Sequence, residues 1–199
     1  MYAPAIAHPD GDSRGDEALM LAYAAGDVAA FDALYLRHKG GVYRFLIRQC
    51  GNAAAADELF QDVWMNVIRA RASYAATAKF ATWLYRIAGN RLVDHWRATG
   101  RAEFVNTDPA DDDADPLAAT AGARSDQPEV RTEATQIGAR LRSALASLPS
   151  AQRDAFLLHQ EGGLALTEIA ALTGVGAETV KSRIRYAQTR LRAELEDLR

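Results

Sequence analysis

The chain has one cysteine, Cys50, in 199 residues. A single thiol excludes an internal disulfide and fits a reduced, cytoplasmic setting. Histidine is sparse too, with four in the chain. His8, His38, His95 and His159 stand singly, without a second ligand at metal spacing, so no zinc site is expected. The sequence lacks any apolar run of about eighteen residues and any basic-then-apolar N-terminal signal, so neither membrane insertion nor export is expected. It has no Walker loop, no dinucleotide fingerprint and no GxSxG. No pair of acids and no nucleophile with a base is placed for catalysis, so no enzyme, cofactor or catalytic residue is expected. Period-two alternation is almost absent, which leaves an all-α fold.

What the chain does have is segregated charge. Apolar residues make up 49% and the net charge is −3. Between Lys79 and Arg101 five basic residues face one acid, and between Ala177 and Arg192 five again face one. Between Glu103 and Thr135 nine acids face two arginines. Two basic segments flanking an acidic one suggest two contacts with a polyanion and a connector that avoids it. The expected organisation is a disordered tail over 1–15, a helical domain over 16–101, a flexible acidic linker over 102–136 containing Pro109, Pro116 and Pro128, and a second small helical domain over 137–199.

Near the C-terminus, Leu164 to Leu195 reads as two helices joined by Gly174-Val175-Gly176. Glycine there supplies the positive φ of a sharp reversal. The second helix buries Val180, Ile184, Ala187, Leu191 and Leu195 as one stripe and leaves Lys181, Ser182, Arg183, Arg185, Gln188, Arg190 and Arg192 on its other faces. This is the pattern of a helix-turn-helix, whose second helix enters the DNA major groove. The alternative is an ordinary helix pair with a solvated basic face.

The first domain offers two further faces. On a helix from about Ala54 to Ala70, Asp57, Gln61 and Trp64 share a stripe with Asp62 beside it. Two readings stay open, a protein-binding face with an exposed indole or a solvated acidic face with Trp64 in the core. On the helix from about Phe80 to Gly100, Trp83, Arg86, Asn90, Asp94 and Arg97 follow at helical steps, preceded by Tyr74, Lys79 and Phe80. Rings and guanidinium planes stack on unpaired bases, and amides hydrogen-bond base edges. The alternative places Phe80 and Trp83 in the core.

These motifs together resemble the sigma factors of bacterial RNA polymerase, in the compact two-domain extracytoplasmic-function group. The match runs through Gly26-Asp27, Ala30-Phe31, Leu34-Tyr35, Asp57 to Trp64, Phe80 to Asn90 and Asp94. It resumes at Leu148-Pro149, Gly163-Leu164, Glu168-Ile169-Ala170 and Glu178 to Arg185. The resemblance implies that Asp57, Gln61 and Asp62 dock on the clamp helices of the largest polymerase subunit. It implies that Tyr74, Phe80, Trp83, Arg86 and Asn90 meet the non-template strand of the minus-ten element and that Arg97 meets phosphate. Lys181, Ser182, Arg185 and Tyr186 would face the minus-thirty-five major groove, with Thr167 and Arg183 on phosphates. An anti-sigma factor is a further implied partner. One departure is Ala165, where the family usually has a capping Ser or Thr; another is Gly176, where Ser is common.

A duplex-reading helix sets register but cannot open DNA. A second module that captures an unpaired base offsets the unstacking cost of a few kcal/mol, and the polymerase raises the effective concentration of both on one promoter. The expected function is promoter recognition, DNA opening and transcription initiation. The alternatives are a sigma-like decoy that binds only an antagonist, and a ligand-sensing regulator. Retention of Lys181, Arg183, Arg185 and Asn90 argues against the decoy, and the absence of a pocket signature against the sensor.

Overall fold

A computed structural model describes residues 12–100 and 133–196 of the chain. The expected linker lies almost wholly outside the described residues, as does most of the expected N-terminal tail. The described residues are helical, with no strand among them. The first unit comprises α1 (Asp16–Ala24), α2 (Val28–Cys50), α3 (Ala53–Ala70) and α4 (Phe80–Ala98), with a short 3-10 turn at Arg71–Ser73. The second comprises α5 (Glu133–Ser147), α6 (Ser150–Gln160), α7 (Leu166–Thr173) and α8 (Ala177–Glu194).

Local chemistry sets the boundaries. Asp27 and Asn52 cap α2 and α3 by accepting the N–H groups of Ala30 and Ala55 at 3.3 and 3.0 Å. Gly51 ends α2 and Gly174 ends α7 in the left-handed conformation, at φ 69° and 73°, where any other residue would be strained. At the start of α6 the sequence pairs two candidate caps, Pro149 and Ser150. Pro149 occupies the cap position and its carbonyl takes the N–H groups of Gln152 and Arg153, so Ser150 is already helical.

The composition-based tail is also too long. Arg37 donates to the carbonyls of Asp12 and Arg14 and pairs with Asp16, while Arg14 pairs with Asp27. Residues 12–15 therefore lie along α2, held by contacts that composition does not encode.

The two units have different interiors. In the first, Leu19, Leu34, Leu46, Val63, Phe80 and Leu84 are fully buried, beside a chain of rings. Tyr23 meets Phe31 at 4.8 Å, and Trp64 packs edge-on against Tyr35 at 4.9 Å and Phe31 at 5.9 Å. In the second, the buried set is aliphatic: Leu145, Leu148, Leu157, Leu158, Leu164, Ile169, Val180, Ile184 and Leu191.

A polar seam joins the units. The Glu161 carboxylate, at the end of α6, is almost wholly enclosed and takes both Arg44, at 2.6 Å, and Arg48 from α2. The Tyr85 hydroxyl on α4 donates to the Glu161 carbonyl at 2.7 Å. Gly41 on α2 makes that approach possible, since a Cβ there would lie 2.6 Å from the same carbonyl oxygen. Alongside, Gln49 donates to Asp154 at 2.6 Å and accepts from Arg153 at 3.2 Å. Burial raises the Asp154 pKa, opposed by the Gln49 hydrogen bond and by the charges of Arg153 and Arg183.

Candidate nucleic-acid interface

The first basic face is the outer side of α4. Its inner side is fixed by Leu84, Tyr85, Ala88, Leu92 and Trp96, all buried. At 100° per residue this leaves Arg86, Asn90 and Arg97 exposed on the opposite side. None of the three makes a side-chain ion pair among the described residues. Asp94, on the same side, is engaged by Arg91 at 2.5 Å, which removes part of its opposition to a polyanion. Trp83 is half-buried and forms the end of a ring cluster, 5.0 Å from Tyr74 and 5.8 Å from Phe80.

Two expectations at this face change. Phe80 is fully buried and lines the core rather than the surface. It is the first residue of α4, and its ring packs on His38 at 5.2 Å and on Tyr74 at 6.3 Å. Tyr74 is only half exposed. Its hydroxyl is enclosed with no hydrogen-bond partner among the described residues, and burial together with the nearby charges of Glu17 and Asp16 raises its pKa.

The second basic face is on α8. Its N-terminal turns expose Lys181, Arg185 and Tyr186 and half-bury Ser182, while Val180, Ile184, Ala187 and Leu191 face inward. Lys181 lies 3.3 Å from Glu178 in an exposed pair, a tether worth little against a phosphate. The Arg185 guanidinium sits over the Tyr186 ring at 5.2 Å. Arg183 departs from expectation: it is 7% exposed and turned inward, where its charge opposes protonation of Asp154. The stripe that places Val180, Ile184 and Ala187 in the core also carries Arg183 off the outer face. Thr167, in the first turn of α7, is exposed. Ala165 is the cap residue of α7 and supplies no side-chain bond, but Glu168 reaches back to accept its N–H at 2.7 Å. Half of a capping box is therefore present.

The polar stripe on α3 resolves in favour of a core Trp64, which is 5% exposed. Asp57, Gln61 and Asp62 remain exposed beside it, and Asp57 raises the pKa of the Tyr43 hydroxyl through a hydrogen bond. Among the described residues no group of His, Cys, Asp or Glu side chains could hold a metal ion, and no helix is long and apolar enough to cross a membrane.

Several contacts behind these faces were invisible in the sequence. Glu17 on α1 accepts the N–H of Phe80 at 2.7 Å, across 63 positions. Asp16 lies 2.6 Å from His38. Lys79 reaches Glu168 at 3.2 Å, joining the start of α4 to α7. Each pairs residues far apart in the chain, and no local periodicity signals such a partner.

Comparison with known proteins matches each half of the chain to a family model. Residues 34–102 match the family model Sigma-70 region 2, and residues 138–191 match Sigma-70, region 4. The ECF RNA polymerase sigma factor SigM of Mycobacterium tuberculosis is 31% identical over 190 residues, covering 96% of this chain and 89% of that protein. RpoE of Cereibacter sphaeroides, also an ECF sigma factor, is 36% identical over 174 residues, covering 85% and 88%. Among solved structures, CnrH in complex with the cytosolic domain of CnrY aligns over 92% of this chain and 97% of its own at a TM-score of 0.65 and 23% identity. The sigma factor RpoE bound to the anti-sigma factor NepR from Bartonella quintana aligns over 83% and 96% at 0.61 and 24%. At those identities the structures speak to the fold. With two family models in the expected order and relatives matched over most of their length, the chain belongs to the extracytoplasmic-function sigma factors, which direct RNA polymerase to promoters.

Proposed function

We propose that the chain divides promoter recognition between α4 and α8, with α3 as its attachment to core polymerase. Trp83, Arg86 and Asn90 take unpaired bases of the minus-ten element and Arg97 a phosphate, with Tyr74 backing the ring cluster. Lys181, Ser182, Arg185 and Tyr186 read the minus-thirty-five duplex, with Thr167 on a phosphate at the start of α7. Asp57, Gln61 and Asp62 meet the clamp helices. Arg183 and Phe80 act behind these surfaces. The observation that carries the reading is the pair of exposed basic faces, each backed by the buried apolar side of its own helix and each falling within one matched family region.

Physically, the two faces do different work. A guanidinium or ammonium against base edges in the major groove contributes about 1–3 kcal/mol of discrimination per good contact. Stacking an extruded base on Trp83 contributes a comparable amount and offsets the cost of opening. The protein itself makes no covalent change; it is a specificity subunit acting in the cytoplasm rather than an enzyme. A protein antagonist belongs to the same reading, supported by the complexes in which CnrH and the Bartonella RpoE are found.

Run-off transcription with purified core polymerase and a library of promoter fragments tests this directly. Initiation at defined positions on a subset of fragments is expected. Absence of any defined start on every fragment overturns it. Replacing Asp57 and Gln61 with Ala is expected to weaken association with core polymerase, measured by fluorescence anisotropy.

A further inference from the structure

The first turn of α4 lacks a cap of its own. Lys79 occupies the cap position and makes no side-chain cap bond. A helix start exposes unpaired N–H groups and a partial positive charge. Here that role passes to α1. The Glu17 carboxylate accepts the N–H of Phe80 at 2.7 Å in a partly buried setting. The adjacent residue, Asp16, is locked by Arg37 at 2.7 Å and by His38 at 2.6 Å, and the His38 ring packs on Phe80. Phe80 in turn touches Tyr74 and Trp83. A continuous path thus runs from α1 to the ring that opens the base-stacking face. Residues 16–33, which include α1, lie outside the stretch matched by the region 2 model.

We infer that Glu17 is a positioning residue for strand opening: its carboxylate caps α4 from another helix and thereby fixes the direction in which Trp83, Arg86 and Asn90 present themselves. Trp83 lies one turn after Phe80, so freedom in the capped turn moves the ring directly. Preorganised contacts lose strength when the group that orients them is released. Glu17 touches no DNA in this scheme, and α8 is independent of it. The inference rests on the proposed minus-ten role of α4.

The test uses holoenzyme on a duplex promoter chosen by the run-off experiment, with permanganate reactivity of unpaired thymines reporting opening and gel mobility reporting the closed complex. Glu17→Ala is expected to lower the open-to-closed ratio about fivefold, the equilibrium factor of one lost helix cap, with core binding unchanged. Glu17→Gln keeps an acceptor and is expected to open nearly as the parent does. Adding Lys79→Ser to Glu17→Ala supplies a local cap, whose Oγ accepts the N–H of Ala81 or Thr82 rather than that of Phe80, and by holding the same turn should recover opening; this double variant also covers the case in which Glu17→Ala folds poorly. Lys79→Ser alone is the control. Parental opening by Glu17→Ala, or a double variant no better than Glu17→Ala alone, overturns the inference. Asn90→Ala measured in parallel separates this outcome from failure of the minus-ten reading, because that reading requires Asn90→Ala to reduce opening whatever Glu17 does.

Discussion

The two halves of the molecule solve the same problem differently. In the first, core and candidate DNA surface are one continuous body of rings: Phe80 is fully buried, Tyr74 and Trp83 half-buried, and all three are in contact. In the second, the core is aliphatic, and the exposed Lys181, Arg185 and Tyr186 lie on the far side of α8 from Val180, Ile184 and Ala187. A surface that captures bases needs flat apolar groups, and flat apolar groups also make a core. A surface that reads a groove needs charged and hydrogen-bonding tips on a rigid helix. With the proposed roles of these residues, stability and recognition are coupled in the first half and separable in the second.

The strongest challenge to this contrast is Phe80→Ala. Removing a fully buried ring costs about 3–5 kcal/mol, and the loss should appear in thermal unfolding. Because Phe80 supports Tyr74 and Trp83, promoter opening by the surviving folded fraction should fall as well. Normal opening per folded molecule would break the coupling. Lys181→Ala with Arg185→Ala examines the other half. Each contact contributes about 1–3 kcal/mol of base discrimination, so selectivity among promoters should collapse while the melting temperature and core binding hold. A joint loss of stability and selectivity would show that the second half is coupled too.

The same contrast explains what the sequence made legible. The α8 stripe could be read because charge and apolarity alternate at helical spacing, so Lys181, Ser182 and Arg185 separate cleanly from Val180 and Ile184. Arg183 was misplaced because a charged residue within the stripe is read as exposed unless its buried partner is known, and Asp154 lies 29 positions earlier. Helix boundaries were near the mark at Gly174 and at the start of α3, expected at about Ala54 and found at Ala53, and less so at α5, which begins at Glu133 rather than 137. On α4 and the segment before it, aromatic residues fit core and surface alike, so the sequence left Phe80 and Trp83 open, and packing buries Phe80 fully and Trp83 only in part. Glu17 had no readable role, because an acid in the first turn of a helix is already explained by that helix's own dipole.

The seam between the halves gives a smaller test. Glu161→Ala removes the shared partner of Arg44 and Arg48, whose side chains are 55% and 24% exposed. Water can solvate much of what is left behind, so a loss of about 1–3 kcal/mol is expected, the usual value of a charge-assisted hydrogen bond. The contact joins the two halves beside a buried apolar cluster that draws on both, so its loss should loosen their union and increase the radius of gyration in small-angle scattering without melting either half. A lowered melting temperature with unchanged dimensions would mean that the seam stabilises the interior of one half rather than the union of two.

The mildest change sharpens the comparison most. Ala165 has the extended backbone of a helix cap, at φ −72° and ψ 157°, and its side chain is exposed, so a hydroxyl fits without displacing anything. Ala165→Ser would let Oγ accept the N–H of Glu168 while the Glu168 carboxylate keeps its bond to the backbone of residue 165, completing the reciprocal cap. The expected gain is about 1 kcal/mol, or roughly 2–4 °C in melting temperature for a chain of this size. The new hydroxyl would lie at the start of α7, two residues from Thr167 and on a different helix from Lys181 and Arg185. If core and surface are separable in this half, the melting temperature rises and promoter choice stays the same. A change in promoter choice accompanying the rise would place the start of α7 within the reading surface, and the contrast between the halves would then rest on α8 alone.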